Sequence, residues 1–501
     1  MNNIKTMNAL RNIKAGTINK LISLLFQFVL RTIVIYSLGA EYIGIGSLFV
    51  SILNMLNLAE LGFSSAMVYF LYKPIVEKDK KQICALLNYY KKIYRYIGII
   101  IFLLGVMIIP FLPFFIKGDI LKEINVYVVY VLYLINNVFG YFFYSYKTAL
   151  LDAHQRNDLI SKIQSLVTIF KCVVQIFVLL VWKDYYLYTI AILVFTIVQN
   201  LFTEYCSQRY YPEYMCKGEV EDELKKDMIH RIKGLLISRI CNVSRNCFDS
   251  IVISAFIGLH AVAVYDNYYY IIKTLEGFLF IITVGISAGI GDSIARDSRE
   301  KNYQDMKKYS FLYAWISCVS TTCLIGLYQP FMKLWVGESL LLSTETMICF
   351  CIYFYALRIG DIRSLYVTGA GLWWEERFRS ILEATTNIIL NLILVNIYGL
   401  FGVVLGTLIS LVIFNIFYGS RIVFECYFKN NKIKEYYFMH LKYAFVTLLS
   451  SLIAYCVCEG IVDGGIWGVC IKGMICTTIG IIIFYIFFRK SNEYENVKKS
   501  I

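Results

Sequence analysis

The sequence predicts an all-α polytopic membrane protein of about fourteen transmembrane helices, built as two pseudo-symmetric six-helix bundles plus two C-terminal helices. Three observations carry that expectation. Of 501 residues, 58% are hydrophobic and 17% charged, with mean hydropathy +0.62, whereas a soluble chain of this size carries roughly a quarter charged residues. The apolar residues gather in runs of about 20, the length a helix needs to cross roughly 30 Å of hydrocarbon. Backbone facing lipid must satisfy its own hydrogen bonds, so these runs are helices. Finally, three fragments recur on either side of a charged stretch at a common offset.

In chain order, a basic and polar segment, 1–17, leads straight into a full-length span, so no cleavable signal peptide is expected. Ile4, Met7 and Leu10 at spacing three fit a short helix lying on the inner membrane surface, and a solvated basic tail fits equally well. The first bundle, 18–207, holds spans 18–38, 43–72, 93–116, 124–147, 160–182 and 186–207. The longest hydrophilic stretch, 208–233, contains Pro212 and EVEDELKKD and is expected to be a cytoplasmic linker. The second bundle, 234–424, holds spans 234–258, 262–291, 310–336, 343–368, 378–397 and 400–424. Two additional spans, 440–460 and 466–488, and a cytoplasmic tail fill 425–501.

The repeat rests on three fragment pairs. RTIVIYSLG (31–39) matches DSIVISAFIG (249–258), PFFIKG (113–118) matches PFMKLWVG (330–337), and LLDAHQRNDLISKIQ (150–164) matches VTGAGLWWEERFRSILE (367–383). Each match alone is weak, but the shared offset of about 217 residues is not. An even number of spans separates the partners, so the halves share one orientation and are related by an axis along the membrane normal.

The net charge of +13 could suggest nucleic acid, so the placement of the basic residues decides. Among the expected outer connections only Lys117, Lys122, Lys183 and Lys333 are basic. This positive-inside asymmetry puts both termini in the cytoplasm and accounts for the charge without nucleic acid. The 15 cysteines lie mostly in spans, and close pairs such as Cys349 and Cys351 have no histidine or second pair to complete a metal site. Core filler is the simpler reading. The four histidines sit in separate loops. No phosphate-binding glycine loop, HExxH motif or triad is present, so no metal, no cofactor, no catalytic residue and no enzymatic activity are expected.

Ionisable residues inside a bilayer are costly and face water or each other. Four helices carry them as stripes on one face. In the first span Asn19, Ser23, Gln27 and Arg31 repeat every four residues; in the second Asn54, Asn57, Glu60 and Ser64 lie at spacings of three and four. The seventh holds Arg239, Asn242, Asn246 and Asp249 with Arg245 alongside, and the eighth Lys273, Glu276, Thr283 and Ser287. These spans open the two halves, which suggests that they line one cavity between the halves. At about 1.5 Å per residue Arg31 lies roughly 16 Å from Lys20, near mid-membrane.

Two roles compete for these charges. Arg245 with Asp249, Lys273 with Glu276, and Arg358 with Asp361 stand one helical turn apart and fit structural locks. Arg31, Lys171 and Arg239 have no acid in helical reach, and Glu60 is the expected protein partner of Arg31. Cations in a wet cavity also suit an anionic cargo, and arginine offers phosphate a planar set of donors. Arg31, Lys171, Arg239, Arg245 and Lys273 are therefore candidate contacts to a phosphate-bearing substrate. Gln27, Asn54, Asn57, Glu60, Asn242, Asp249 and Glu276 are candidate polar lining or ion-coupling groups.

At this point the chain resembles the polysaccharide repeat-unit flippases (O-antigen, capsule and exopolysaccharide), a branch of the multidrug/oligosaccharidyl-lipid/polysaccharide exporter superfamily. The matching residues are Arg31 followed by LGAEYIG (38–44), LAELGFSSA (58–66), YKTALLDAHQRND (146–158) and NIILNLILVNIYGLFGVVLGTLIS (387–410). The resemblance implies a MATE-like, two-lobed helical bundle with a central cationic cavity in the bacterial cytoplasmic membrane. It implies an oligosaccharide on undecaprenyl diphosphate as cargo, moved from inner to outer leaflet by alternating access. Membrane lipids, and the polymerase and glycosyltransferases of the same pathway, are the partners it implies. Asp249 stands where the other half has Arg31, so the cationic lining need not be symmetric.

Two other classes compete. An ion-coupled drug or small-molecule exporter of the same superfamily would use carboxylates such as Glu60, Asp249 and Glu276, but the excess of intramembrane Lys and Arg argues against a cationic cargo. A membrane polymerase or ligase is disfavoured because no expected outer loop exceeds about 12 residues.

Overall fold

The computed structural model describes residues 2–60, 63–118, 124–142, 146–226, 228, 243, 247–461 and 464–498. Helix α1 spans Asn2–Ser37, α2 Ala40–Leu56, α3 Phe63–Glu77, α4 Lys80–Ile108, α5 Val126–Phe142 and α6 Tyr146–Ala153. Then follow α7 Asn157–Val181 and α8 Tyr185–Tyr210, and the short α9, Cys247–Phe256. Next come α10 Leu259–Arg296, α11 Arg299–Val336 and α12 Thr344–Ala370. The run Arg377–Phe428 is α13; α14 is Ile433–Glu459, α15 Gly465–Phe488 and α16 Asn492–Lys498. No strand occurs among the described residues. The N-terminal segment is not a separate surface helix: it continues into the first span as one 36-residue α1.

Nine of the described helices are long and apolar enough to cross a membrane, or ten if α5 and α6, bent by 54°, are taken as one span. The shortfall from fourteen has identifiable sources. Helix α2 has 17 residues, the described part of the seventh span is only α9, and α12 carries Arg358, Asp361 and Arg363. Helix α13 counts once although it folds back on itself. At Gly399 the backbone leaves helical geometry (φ 57°, ψ −133°). Positions on either side of that point then meet: Asn387 Nδ2 donates to Thr407 Oγ1 at 2.8 Å, and a Cβ on Gly406 or Gly402 would collide with Asn391 or Leu394.

The repeated fragments share a backbone device. Residues with positive φ follow the helices at Gly39 and Gly258, Gly118 and Gly337, Gln155 and Gly371, and Lys183 and Gly399. The hydrogen bonds match as well. The amides of Gly39 and Gly258 donate to the carbonyls of Val34 and Ile253, and those of Arg156 and Leu372 to Leu151 and Val367. These are i to i−5 closures that satisfy carbonyls left open at a helix C-terminus.

The chain packs as two compact units, Met1–Ala263 and Val264–Ile501. This division by packing falls later than the expected linker, so α9 belongs to the first unit. There the Lys117 amide donates to Ser254 O at 3.0 Å, and Gly44 passes against the backbone of Leu259, where a Cβ would meet the carbonyl at 2.1 Å. In the first unit α1 lies along α7, and α5 lies between α4 and α8, around a core that includes Ile45, Leu48, Phe49, Leu86 and Tyr130. In the second unit α11 is the seat for α12, α14 and α15. Small residues permit the close approach: Gly326 lies against Cys476, and Gly480 against Val319.

Candidate functional site

The polar stripe of α1 divides along its length. Towards its start it is consumed by packing on α7: Asn19 Nδ2 donates to Gln164 Oε1 at 2.9 Å, and Asn19 Oδ1 accepts from Ser165 Oγ at 3.0 Å. Further along, Gln27 is exposed and donates to Ser23 Oγ at 3.3 Å. Arg31 is half-buried and engaged by other groups, and Tyr188 of α8 lies within range of its charge. Lys171, half-buried on α7, makes no ion pair with any described residue.

Glu60 does not take up Arg31. Tyr94 donates to its Oε1 and Tyr141 to its Oε2 at 2.7 Å, while Tyr90 donates to Tyr94 at 2.9 Å. The reason is local. The stripe Asn54, Asn57, Glu60 assumes one continuous helix, but α2 stops at Leu56 and Asn57–Glu60 form a tight 3-10 turn. The changed direction carries Glu60 onto the tyrosines of α4 and α5. Asn57 forms a reciprocal amide pair with Asn137 of α5, at 3.1 and 2.8 Å, while Asn54 is exposed. A span interrupted in this way exposes main-chain groups at membrane depth, a common feature of binding sites in transporters.

In α9 Asp249 is 3% exposed and engaged. Arg239, Asn242 and Arg245 lie outside the described residues.

The second unit joins its candidates in one network. Lys273 Nζ lies 3.0 Å from Glu276 and 5.0 Å from the Tyr269 ring. Glu276 also takes Arg358 Nη2 at 2.9 Å, and Arg358 Nη1 lies 2.9 Å from Asp361. Tyr313 closes the chain by donating to Asp361 Oδ2 at 2.6 Å. Both helical-turn pairs expected here, Lys273 with Glu276 and Arg358 with Asp361, are formed. What spacing did not show is that the pairs share Arg358 across helices, which leaves two cations and two carboxylates in balance.

Two further ionic clusters follow the fourth and tenth expected spans. In the first unit Asp158, with its side chain 2% exposed, is held by Arg156 at 3.0 Å, Arg11 at 3.2 Å and Lys162 at 3.8 Å. Nearby, burial against Tyr211, 4.1 Å ring to ring, holds the His154 imidazole below its ordinary pKa. In the second unit Arg363 and Arg379 share Glu376 at 2.8 and 3.0 Å, Arg379 also pairs with Glu383, and Arg363 donates to Asn415. The sequence reading missed Arg363, Glu376 and Arg379, and also Tyr94, Tyr141 and Tyr313. A tyrosine among 41 carries no spacing signal. Glu376, Arg379 and Glu383 lie within the repeat fragment 367–383, where their spacing of three and four carries the signal, while Arg363 lies outside it.

No group of three or more metal-ligating side chains occurs among the described residues. The arrangement supplies fixed charge and hydrogen-bonding groups among apolar helices, which suits binding of a polar group.

No curated protein matches the sequence. By structure the chain is similar to the lipid II flippase MurJ in an inward closed conformation, at 17% identity and TM-score 0.69, covering 95% of this chain and 98% of that one. It is similar to a multidrug resistance MATE family transporter of the MOP superfamily in an inward-facing conformation, at 16% identity and TM-score 0.63, covering 80% and 94%. A MOP superfamily transporter from Pyrococcus furiosus is similar at 15% identity and TM-score 0.54, covering 84% and 96%. At these identities the likeness establishes the fold. The sequence profile described as "Polysaccharide biosynthesis protein" matches residues 9–287, more than half of the chain, and the protein is therefore a member of that polysaccharide biosynthesis family.

Proposed function

We propose that this chain is a flippase that moves undecaprenyl-diphosphate-linked oligosaccharide repeat units from the inner to the outer leaflet of the bacterial cytoplasmic membrane by alternating access. The observation that carries this reading is a conjunction: a polysaccharide biosynthesis family match over residues 9–287 on a fold like that of a lipid II flippase over 95% of the chain. Repeat units built on the cytoplasmic face must cross the bilayer before assembly outside, and a carrier without catalytic groups fits that step.

The diphosphate is the anion for the cationic positions. Arg31 and Lys171 in the first unit and Lys273 in the second bind it, with Arg239 and Arg245 as further donors. Arginine supplies paired hydrogen bonds to phosphate oxygens and lysine a mobile point charge. Gln27, Asn54, Asn57 and Asn242 contribute polar lining, and Glu60, Asp249 and Glu276 are the acidic groups available for ion coupling. Both termini lie in the cytoplasm, as the basic-residue asymmetry requires, and the chain is organised as six, six and two helices.

Deletion of the gene followed by analysis of lipid-linked sugars tests the reading. Intermediates that accumulate on the inner leaflet support it. Unchanged lipids together with raised drug or dye retention would support instead the multidrug exporter reading suggested by the MATE likeness. Arg31→Ala is expected to abolish export while the protein still inserts; full surface-polysaccharide production at normal expression removes Arg31 from the site.

A further inference from the structure

In the second unit a small cavity lies where α11, α12 and α14 meet, lined by Ser310, Tyr313, Ser317, Tyr355, Arg358 and His440 among others. His440 is 8% exposed and Arg358 7%. Neither ring nitrogen of His440 has a partner among the described residues, nor do Ser310 Oγ and Arg358 Nε. A buried polar atom without a hydrogen bond is destabilising, so four around one cavity call for an occupant that bonds to several of them. The space open to a water centre is about 10 Å³, close to that of a single water.

A water held there would join a titratable imidazole to a carboxylate. Tyr313 lines the cavity and donates to Asp361 Oδ2 at 2.6 Å. We propose that His440, the cavity water, Tyr313 and Asp361 form a proton relay, and that Asp361 is the proton-binding site that couples transport to a proton gradient. The coupling rests on the transporter reading; the proton binding does not.

The transfers balance without any group outside the chain except water and a proton. Neutral His440 accepts a proton at one ring nitrogen and releases the other to the water. The water passes one on to the Tyr313 oxygen as the phenol's own proton moves to Asp361. Asp361 becomes a neutral acid, the water and Tyr313 are restored, and His440 is left neutral in its other tautomer, which a ring flip resets.

The surroundings give the step a consequence. Asp361 is faced by Arg358 and Arg363 from its own helix, by Tyr313 from α11 and by Glu276 from α10. Around His440 stand Tyr436 and Tyr443 on its own helix, Tyr313 from α11 and Tyr355 and Arg358 from α12, with Glu493 of α16 beyond Tyr443. Protonating Asp361 removes one of the two carboxylates that hold Arg358. The cluster of Lys273, Arg358, Glu276 and Asp361 then gains a net positive charge. By reciprocal linkage an anion near Lys273 favours proton binding, and the proton favours the anion.

The test uses the purified full-length protein in lipid nanodiscs, followed by infrared spectroscopy as the sample is acidified. Wild type is expected to gain the carbonyl band of a protonated carboxylic acid that Asp361→Asn lacks. Tyr313→Phe should shift the frequency of that band, which a merely structural role would leave in place. The same band in Asp361→Asn, or no band in wild type, overturns the proposal; if Asp361→Asn does not fold, an unshifted band in Tyr313→Phe does so. In liposomes loaded with a pH-sensitive dye, His440→Gln should slow potential-driven proton movement by on the order of a hundredfold, the lower range of what a positioned proton-transfer group supplies. An unchanged rate removes His440 from the relay. Neither measurement needs the lipid-linked cargo, so failure here leaves the flippase reading standing, and failure of that reading leaves these results to be judged alone.

Discussion

Glu60 and Glu276 occupy the second helix of each proposed half, yet they are held by opposite chemistry. Glu60 takes phenolic hydrogen bonds from Tyr94 and Tyr141 and has no ion pair among the described residues. Glu276 lies between Lys273 and Arg358. Phenols stabilise a carboxylate through charge-assisted hydrogen bonds while leaving its charge in place. Cations cancel it. The clusters that follow the fourth and tenth expected spans differ in the same way: Asp158 is a buried acid ringed by three cations, whereas Arg363 and Arg379 are buried cations bound to glutamates. A repeated backbone therefore does not repeat its electrostatics, because each half chooses the partners of its charges independently.

The largest effect expected from breaking this contrast is in the second unit. Arg358→Met strips Asp361 of its arginine and leaves Glu276 to Lys273 alone, and losing one partner of a buried ion pair costs about 3–5 kcal/mol. The unfolding midpoint in detergent should fall accordingly, and a loss below about 1 kcal/mol, the range of exposed pairs, would show that Arg358 is no lock. Glu60→Gln keeps an acceptor for a tyrosine and gives up only the charge assistance, so about 1–2 kcal/mol is expected by the same measurement. A loss as large as that of Arg358→Met would mean that Glu60 has a cationic partner after all, and the contrast would collapse.

Smaller effects sharpen it. A double-mutant cycle on Asn57→Ala and Asn137→Ala should give a coupling of about 1 kcal/mol, since the two amides bond to each other reciprocally; additive losses would separate them. Lys273→Gln should change stability by less than about 1 kcal/mol, because its side chain is 44% exposed. Export of lipid-linked sugar by that variant should nevertheless fall, and undiminished export would reduce Lys273 to a partner of Glu276.

Much of the architecture was legible in advance. The interruption between RTIVIYSLG and the next span, the PFFIKG and PFMKLWVG ends and the break between 397 and 400 all fall where the backbone adopts positive φ. Helix-stop chemistry is local, and a glycine or an exposed polar residue at the turn announces it. The pairs Lys273 with Glu276 and Arg358 with Asp361 were legible for the same reason, since residues three apart on a helix share a face. The pairing of Glu60 with Arg31 failed because it assumed that α2 runs on through a turn that redirects the side chain. The role of α11 as the seat of the two additional helices left no trace beyond Gly326 and Gly480, and His440 looked like one of four scattered loop histidines.

By itself the sequence determined that this protein belongs to the membrane and that it is helical throughout its apolar runs, and it raised the expectation of two repeated halves with polar stripes. Each of these follows from composition or from periodicity along one helix. Only the tertiary structure decided that tyrosines rather than arginine hold Glu60, that Arg358 unites two ion pairs into one network, and that His440 meets Tyr313 and Arg358 around a cavity. Those outcomes depend on which helices become neighbours, and a neighbour on another helix, from 34 residues away for Tyr94 and Glu60 to 82 for Arg358 and Glu276, leaves no periodicity to read.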